Sequence, residues 1–341
     1  MNQPLRILVT RHLPGDGAAM ARSRLFARGI AAEVMVNALD RRLEPDELRA
    51  MIVGAAGVLT TPRDRIDAQA LDAAGPSLRV VSNYATGTDN IDLAACAARG
   101  VRVGNTPDAV VEPTADIAWL LILGAARRAF EGERLVRGGA WRGVAPSELL
   151  GVRLLGKSLL VVGAGRIGLA TARRALGWNM PLRYVARSRH PEFEAAPFNA
   201  VRVDLDTGLA EADVVTLHTP LTAETRALLD ARRLALMKPT SILVNTSRGA
   251  VIDEAALVDA LRRGRPGAAG LDVFEHEPQV HPGLVDLPNV FLLPHLGSAT
   301  TEDRVWMTEQ AVENLVAGVV GEPLPNEVRA ASQTDPAGAA R

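Results

Sequence analysis

The chain has 341 residues, of which 48% are hydrophobic and 23% are charged, and its formal net charge at pH 7 is -1. This length exceeds what one hydrophobic core usually organises, so we expect two domains. The near-zero charge gives no general attraction to nucleic acid or to an anionic membrane, which favours a small-molecule ligand. Cys96 is the single cysteine, so no internal disulfide can form.

The amino-terminal residues lack the basic segment, the long apolar stretch and the cleavage site of a signal peptide. The most apolar stretch, 117–126, is too short to cross a bilayer. We therefore expect a cytoplasmic protein that binds neither membrane nor nucleic acid.

Short apolar runs alternate with helical patterns along the chain, which is typical of α/β folds with mainly parallel sheets. In the first section the predicted strands are 5–10, 32–36, 57–60 and 78–82, and the predicted helices are 16–28 and 45–51. The pattern then changes to one long helical segment over 111–137, whose apolar residues are too dense for a surface helix. We expect this helix to be buried between domains or subunits.

After a glycine-rich arm at 138–156, a second alternating series begins. Its predicted strands are 159–162, 182–185, 214–218, 242–245, 268–271 and 290–293. A final helix over 301–320 ends at Gly321, because Pro323 blocks its continuation. Residues 331–341 have no apolar period, and we expect them to be disordered.

The first strand of the second series leads directly into Gly163-Ala-Gly165-Arg166-Ile167-Gly168, a G-x-G-x-x-G at the start of a helix. In this context the first glycine permits a tight turn and the second lets the backbone approach a pyrophosphate. The third lets helix and strand pack closely. The motif predicts a dinucleotide site at the amino terminus of this helix.

The end of the following strand carries the signal for cofactor choice. A site that prefers NAD has an acid there, about 20 residues after the motif, but position 186 is alanine and is followed by Arg187, Ser188 and Arg189. Two guanidinium groups and a hydroxyl suit a 2′-phosphate, so we predict that NADP(H) is preferred and that NAD(H) is possible. The alternative is that both arginines only solvate a surface turn.

Three later strands end in residues suited to 2-oxo acid chemistry, namely Arg248, Glu277 and His295. Ligands bind at the carboxyl ends of parallel strands, so we expect these side chains to converge on one cleft with the dinucleotide. An arginine binds a carboxylate through its fork of donors, and a histidine gives a proton to a forming alkoxide. A glutamate beside the histidine favours the imidazolium form. No His, Asp and Glu set has metal-ligand spacing, so we predict no metal.

With these segments the sequence resembles the D-isomer-specific 2-hydroxyacid dehydrogenase family, most closely its glyoxylate/hydroxypyruvate reductase branch. The resemblance extends to about Val328 and includes the segments 161–168, 245–249, 251–254, 270–278 and 294–300. It implies that Arg248 is the substrate arginine, that His295 is the general acid/base and that Glu277 is its partner.

The resemblance also implies further contacts. The backbone amides of Thr86 and Gly87 are expected to take the substrate carboxylate, and Asp272 is expected to hold the nicotinamide carboxamide. His218 is placed near the adenine, although a packing role fits it equally well. The remaining cofactor contacts are expected at Thr114, Pro220, Thr246 and Gly297.

The family fold implies two doubly wound domains, with a Rossmann dinucleotide-binding domain at 109–297 inserted into a flavodoxin-like substrate domain at 1–108 and 298–330. The long helix and the arm match the region that family members use for twofold dimers, so a homodimer is expected.

The predicted function is NADPH-preferring reduction of glyoxylate or hydroxypyruvate to the 2-hydroxy acid. One alternative is a reductase for a longer sugar acid such as 2-oxogluconate. Another, of a different class, is a dinucleotide-sensing binding protein without significant turnover, which the near-zero charge and the lack of an appended recognition segment disfavour.

Overall fold

The structure, a computed structural model, describes residues 3–329. The chain forms two compact units. Unit 1 contains the residues up to Val110 and those from Ser298 onward, and unit 2 is Val111–Gly297. The predicted breakpoints at 108 and 298 lie close to these limits. The predicted domain end at 330 and the predicted disordered tail, 331–341, lie outside the described residues.

Unit 1 begins with alternating strands and helices. They are β1 Leu5–Val9, α1 Gly17–Ala27, β2 Ala32–Val36, α2 Pro45–Ile52, β3 Ala55–Thr60, α3 Ala68–Ala74, β4 Val80–Asn83, α4 Leu93–Ala98 and β5 Arg102–Gly104. Aspartates cap several of these helices. The side chains of Asp16, Asp67 and Asp92 each accept a backbone N–H of the first turn, which fixes where α1, α3 and α4 begin.

Unit 2 continues the alternation. Its elements are α5 Val111–Ala126, α6 Ala129–Arg137, β6 Leu159–Val162, α7 Arg166–Ala175, β7 Leu182–Val185, α8 Pro191–Glu194, β8 Val201–Arg202, α9 Leu205–Glu211, β9 Val214–Leu217, α10 Ala231–Leu236, β10 Ile242–Asn245, α11 Glu254–Arg262, β11 Ala268–Leu271, α12 Pro282–Val285 and β12 Val290–Leu292. The chain then returns to unit 1 with α13 Thr301–Val320 and β13 Glu327–Val328.

Each unit contains one doubly wound sheet. In unit 1 the strand order is β13-β5-β4-β3-β1-β2, and only the edge strand β13 is antiparallel to its neighbour among the described strands. In unit 2 the order is β12-β11-β10-β9-β6-β7-β8, with every described pair parallel. The strand order of unit 2 reverses at β6 and β9, where such sheets bind ligands beyond the carboxyl ends of their strands.

The predicted continuous helix over 111–137 is wrong. Arg128 adopts a left-handed backbone conformation with φ 51°, which ends α5 and starts α6 on a new axis. The carbonyl of Ala126 at the end of α5 accepts the N–H of Val152 from the following arm. Within its own unit α5 packs on β10, β11 and α7, and its expected position between domains or subunits stays a prediction.

The helices of the described chain include none that combines the length and the apolar character needed to cross a membrane.

Candidate active site

The turn after β6 has the geometry that its glycine spacing predicts. Gly163 has φ 101°, and a Cβ there would lie 2.7 Å from the carbonyl carbon of His218. A Cβ at Gly168 would lie 2.4 Å from the Gly163 oxygen, so only glycine allows this packing of strand and helix. A Cβ at Gly165, in contrast, would meet nothing within 4 Å. Open space therefore lies beside Gly165 at the start of α7.

The amino terminus of α7 fits the pyrophosphate of a dinucleotide. Its N-cap is Gly165, which has no side chain to cap the helix, so the N–H groups of the first turn receive no bond from that residue. Across the turn, the hydroxyl of Thr219 is buried and has no hydrogen-bond partner among residues 3–329. Its backbone nitrogen lies 2.9 Å from the position of a Cβ on Gly163.

The side chains predicted to select the cofactor lie in the turn after β7, and they differ in their contacts with neighbouring residues. Arg187 and Ser188 are exposed. Arg189 is also exposed, but its guanidinium forms an ion pair with Glu194, with 2.6 Å between Nη2 and Oε2. Arg202 donates to the carbonyl oxygens of Ala186 and Arg187 and thereby fixes the backbone of the turn.

His218 follows β9, at the switch point of the sheet. Its Nε2 lies 2.9 Å from the hydroxyl of Thr216, and its Nδ1 lies 3.5 Å from the hydroxyl of Thr246. Burial lowers the pKa of His218 to about 3, so the imidazole is neutral near pH 7. Both ring nitrogens thus have protein neighbours, which supports the packing role. The neighbouring Pro220 is exposed, and its carbonyl accepts the hydroxyl of Thr225.

Arg248 lies in the turn that follows β10. The side chain of Asn245 closes this turn, because its amide donates to the Arg248 carbonyl and its oxygen accepts the N–H of Ser247. Gly249 lies so close to the loop after β11 that a Cβ would be 1.8 Å from the carbonyl carbon of Phe274. This glycine, whose role was not predicted, lets the arginine turn pack on the loop that carries Glu277.

Glu277 and His295 form a hydrogen-bonded pair, with 2.9 Å between Oε2 of Glu277 and Nδ1 of His295. The other carboxylate oxygen, Oε1, accepts the backbone N–H of Phe274 at 3.1 Å. Burial raises the pKa of Glu277, but the hydrogen bond and charge of His295, the Phe274 amide and the charge of Arg248 together hold that pKa below its usual value. Glu277 is therefore a carboxylate at neutral pH, coupled to both predicted partners.

The turn that carries His295 is held by Asp272, which is 1% exposed. Its two carboxylate oxygens accept the N–H groups of Leu296 at 2.7 Å and Gly297 at 2.9 Å. Thr114 donates its hydroxyl to the Gly297 carbonyl at 3.1 Å. Three residues predicted to contact the cofactor, Asp272, Thr114 and Gly297, are thus bonded to one another and position the histidine. A role at the nicotinamide stays a prediction for them.

In unit 1, the loop at Thr86 and Gly87 has its carbonyl groups bound by neighbouring residues. The Ala85 carbonyl accepts the N–H of Thr106, and the Thr86 carbonyl accepts the side-chain amide of Asn105 at 2.8 Å. The Gly87 carbonyl accepts the side-chain amide of Asn83 at 2.8 Å.

In a planar trans peptide the N–H points opposite to the C=O. The amides of Thr86 and Gly87 therefore point away from these donors, and they bond to no acceptor within residues 3–329. Successive outward N–H groups of this kind form an anion-binding concavity. The asparagine donors that create it, Asn105 and Asn83, were not predicted, because their partners are defined only by the fold.

Among the described residues, no group of three or more His, Cys, Asp or Glu side chains is arranged to hold a metal ion.

Glu254, the first residue of α11, is a further residue that the motifs did not single out for a role. It is 5% exposed, and its Oε1 accepts the backbone N–H of Glu275 at 2.7 Å. Burial is the largest influence on the pKa of Glu254 and raises it, against the opposing effect of the Glu275 amide. Glu254 thus anchors the loop two residues before Glu277. In the sequence, the role of Glu254 is indicated only by the presence of an acid in the segment 251–254.

This burial predicts a pH-dependent stability. An acid whose pKa is higher in the folded than in the unfolded state loses stability as pH rises from its usual 4.5 through the raised value. Glu254→Gln keeps the acceptor oxygen without the charge, so its melting temperature relative to wild type should increase between pH 4.5 and pH 7.5. Glu254→Ala, which leaves the Glu275 amide unpaired, should cost about 1–3 kcal/mol at either pH. A pH-independent difference for Glu254→Gln would contradict the buried, anchoring carboxylate.

Comparison with known proteins places the chain in a family. Residues 119–297 match the model described as D-isomer specific 2-hydroxyacid dehydrogenase, NAD binding domain. The chain is 44% identical to a glyoxylate reductase of Thermococcus onnurineus, and the alignment covers 95% of each chain. It is 45% identical to a glyoxylate/hydroxypyruvate reductase B of Serratia proteamaculans over 81% of this chain and 85% of that one.

Solved structures agree with this relationship. An NADPH-dependent glyoxylate/hydroxypyruvate reductase of Sinorhizobium meliloti, in complex with NADP and malonate, is similar with a TM-score of 0.80 and 32% identity, covering 96% of this chain and 97% of that one. Taken with the glycine turn of β6 and the paired Glu277 and His295, these similarities show that the chain belongs to the D-isomer-specific 2-hydroxyacid dehydrogenase family.

Proposed function

We propose that this chain reduces a small 2-oxo acid, glyoxylate or hydroxypyruvate, to its 2-hydroxy acid, with NADPH preferred over NADH. The observation that carries the proposal is the Glu277–His295 pair, with the charge of Arg248 acting on Glu277 in the same unit. The relatives named as glyoxylate and glyoxylate/hydroxypyruvate reductases support the choice of substrate.

The cofactor is proposed to bind unit 2 at the carboxyl ends of β6 and β9. The amides at the start of α7 and the glycines of the β6 turn would hold its pyrophosphate. Arg187 and Ser188 would contact the 2′-phosphate of NADPH, and Arg189 would do so to a lesser extent because it is paired with Glu194. When bound, the nicotinamide supplies the hydride that reduces the oxo carbon.

His295 is proposed to donate the proton. Its Nδ1 is bonded to the Glu277 carboxylate, which leaves Nε2 to deliver a proton to the oxo oxygen as the alkoxide forms. Arg248 would bind the substrate and polarise its oxo group through its planar fork of N–H donors. Glu277 would fix the orientation of the ring and stabilise the imidazolium, and the imidazolium is the form that gives the proton in reduction.

Unit 1 is proposed to be the substrate domain, with the outward amides of Thr86 and Gly87 as donors to the substrate carboxylate. The bound carbonyls of Ala85, Thr86 and Gly87 support this, because they fix the direction of those amides before any ligand arrives. Preorganised donors of this kind cost no reordering when the anion binds.

The direct test is a kinetic panel of NADPH and NADH, each with glyoxylate, hydroxypyruvate, pyruvate and 2-oxogluconate. Glyoxylate or hydroxypyruvate with NADPH should give the highest kcat/KM. A maximum with 2-oxogluconate would assign the chain to the longer sugar acids. Cofactor binding without turnover of any of the four acids would instead indicate a dinucleotide-sensing protein.

The role of the dyad predicts two separable phenotypes. His295→Ala should bind NADPH normally but lose about 10²- to 10⁴-fold in reduction rate. Glu277→Gln removes the charge that favours the imidazolium, so the alkaline limb of the pH profile of kcat/KM for reduction should move to lower pH. The apparent pKa values of this profile belong to the Glu277–His295 pair rather than to either residue. Glu275→Gln changes the same charge two residues away and is the matched control. An unmoved limb in Glu277→Gln, with chemistry rate-limiting, would rule out the dyad.

The asparagine-bound loop predicts an effect on substrate affinity. Asn105→Ala frees the Thr86 carbonyl and loosens the adjacent Gly87 amide, so KM for the oxo acid should rise about tenfold, equivalent to about 1.4 kcal/mol. The Kd for NADPH should be unchanged, because the change lies in unit 1. Steady-state kinetics and a cofactor titration check both values. A rise in the Kd for NADPH alone would assign Asn105 to a different role.

We also infer a homodimer formed through α6 and the arm 138–156. This region exposes large apolar side chains, which on soluble proteins mark interaction surfaces when they cluster. They are Val136, Trp141, Val144, Leu150 and Leu155, with exposed fractions of 61%, 52%, 93%, 66% and 50%. Light scattering should give twice the mass of one chain, and Trp141→Glu should lower it. A monomeric wild-type chain would contradict this inference.

A further inference from the structure

The inference concerns the side chains beyond β7 and rests on the proposed use of a nicotinamide dinucleotide. Position 186, where an NAD-preferring site has its acid, is alanine. Ala186 nevertheless lines a cavity of roughly 720 Å³ that is also lined by two acids, Glu194 of α8 and Asp204, the residue before α9. Arg189 lines the same cavity. An acid is thus supplied to this region by the following helix rather than by the strand end.

Glu194 holds Arg189 through three contacts between the carboxylate and the guanidinium. Nε of Arg189 lies 3.1 Å from Oε1 and 3.0 Å from Oε2, and Nη2 lies 2.6 Å from Oε2. The carboxylate thus uses both oxygens on this guanidinium, which is the geometry of a bidentate pair. In this arrangement the charge of Arg189 is balanced before any cofactor binds.

Glu194 is also anchored from the protein interior. The hydroxyl of Tyr184, a residue of β7 that is 0% exposed, donates to Oε1 of Glu194 at 2.6 Å. That hydroxyl in turn accepts the backbone N–H of His190 at 3.0 Å. The Arg189 guanidinium and then the Tyr184 hydroxyl hold the pKa of Glu194 below its usual value. The carboxylate is therefore ionised at neutral pH and is not a mobile surface group.

The other guanidiniums of this turn have different surroundings. Arg202, which also lines the cavity, donates to the carbonyls of Ala186 and Arg187 and supports the backbone. Arg187 is exposed, outside the Glu194 pair. A 2′-phosphate would therefore meet Arg187 with its positive charge but would have to compete with Glu194 for Arg189.

We infer that Glu194 is a specificity-determining residue that limits the preference for NADPH. It withholds Arg189 from a 2′-phosphate by holding it in the bidentate pair. The chain should consequently bind NADH as well as NADPH, with a ratio set by Glu194.

The test measures the Kd values of NADPH and NADH by calorimetry, independently of turnover. Glu194→Gln keeps an oxygen for the Tyr184 hydroxyl but releases Arg189, so NADPH should bind about tenfold more tightly while NADH changes by less than about threefold. Glu192→Gln is the matched control, since this glutamate lies on the same helix and its carboxylate contacts His190 instead of Arg189. It should leave the ratio of the two Kd values within about twofold of wild type.

Two single arginine variants and one double variant show whether Glu194 acts on the cofactor through Arg189. In the wild-type background Arg189→Ala should weaken NADPH binding by less than about threefold, whereas Arg187→Ala should weaken it by about tenfold or more. Glu194→Gln should have no effect on the ratio when Arg189 is already alanine. These single arginine variants keep the inference testable if Glu194→Gln does not fold.

An unchanged ratio or weaker NADPH binding in Glu194→Gln would overturn the inference, the second by showing that Glu194 orients Arg189 for the phosphate. An equal change in Glu192→Gln would also overturn it. These outcomes leave the proposed reductase activity intact if the wild-type chain still reduces glyoxylate or hydroxypyruvate. Binding of neither cofactor to the wild-type chain would end both proposals.

Discussion

The buried carboxylate of Asp272 holds the turn that carries His295, and the chemistry of unit 2 depends on this contact. His295 has φ 56°, a left-handed conformation that costs a non-glycine residue about 1–2 kcal/mol. The two N–H groups that follow it donate to the two oxygens of Asp272, and its own N–H donates to the Asp272 carbonyl at 2.9 Å. Burial raises the pKa of Asp272 to about 6, so above that pH the ionised group accepts both bonds. The strained turn is therefore maintained by a charge that the fold keeps from solvent.

Other residues at the same edge of the sheet also hold the loops that carry the candidate catalytic side chains. Glu254 anchors the backbone two residues before Glu277, and Gly249 allows the Arg248 turn to lie against that backbone. Burying a carboxylate such as Glu254 is unfavourable unless it is hydrogen-bonded. The unit thus accepts a stability cost to hold the Glu277 loop in place, which is typical of groups that orient functional side chains.

The places of the candidate catalytic residues can be predicted from the sequence because they follow from topology, while their roles stay predictions. Arg248, Glu277 and His295 follow β10, β11 and β12, which are neighbours in one parallel sheet, so their strand ends meet at one edge. The glycine turn after β6 can also be predicted, because its glycines contact the strand and the helix that flank them in the sequence. In contrast, Glu254, Asn105 and Glu194 act on backbone or side chains that only the folded structure brings near them.

The errors in the predicted elements have physical causes. The break at Arg128 is not marked by glycine or proline, and the arm residue that accompanies it, Val152, is distant in sequence. Helices α3 and α4 are short and rich in alanine, and β5 has three residues, so their apolar periods are too brief to detect. These elements depend on packing in unit 1 rather than on local pattern.

The loops of the two units are held by opposite kinds of hydrogen bond, and this difference suits their proposed partners. At Thr86 and Gly87, neutral asparagine donors bind carbonyl groups, so the N–H groups face outward without any added charge nearby. At His295 and Glu277, the carboxylates of Asp272 and Glu254 accept backbone N–H groups, so these turns are held by acceptors rather than donors. If these acceptors were exchanged for neutral donors, the backbone N–H groups of the histidine turn would lose their partners. The amide supports thus leave backbone N–H groups facing outward in the loop of unit 1, whereas the carboxylate supports bind the N–H groups of the turns in unit 2.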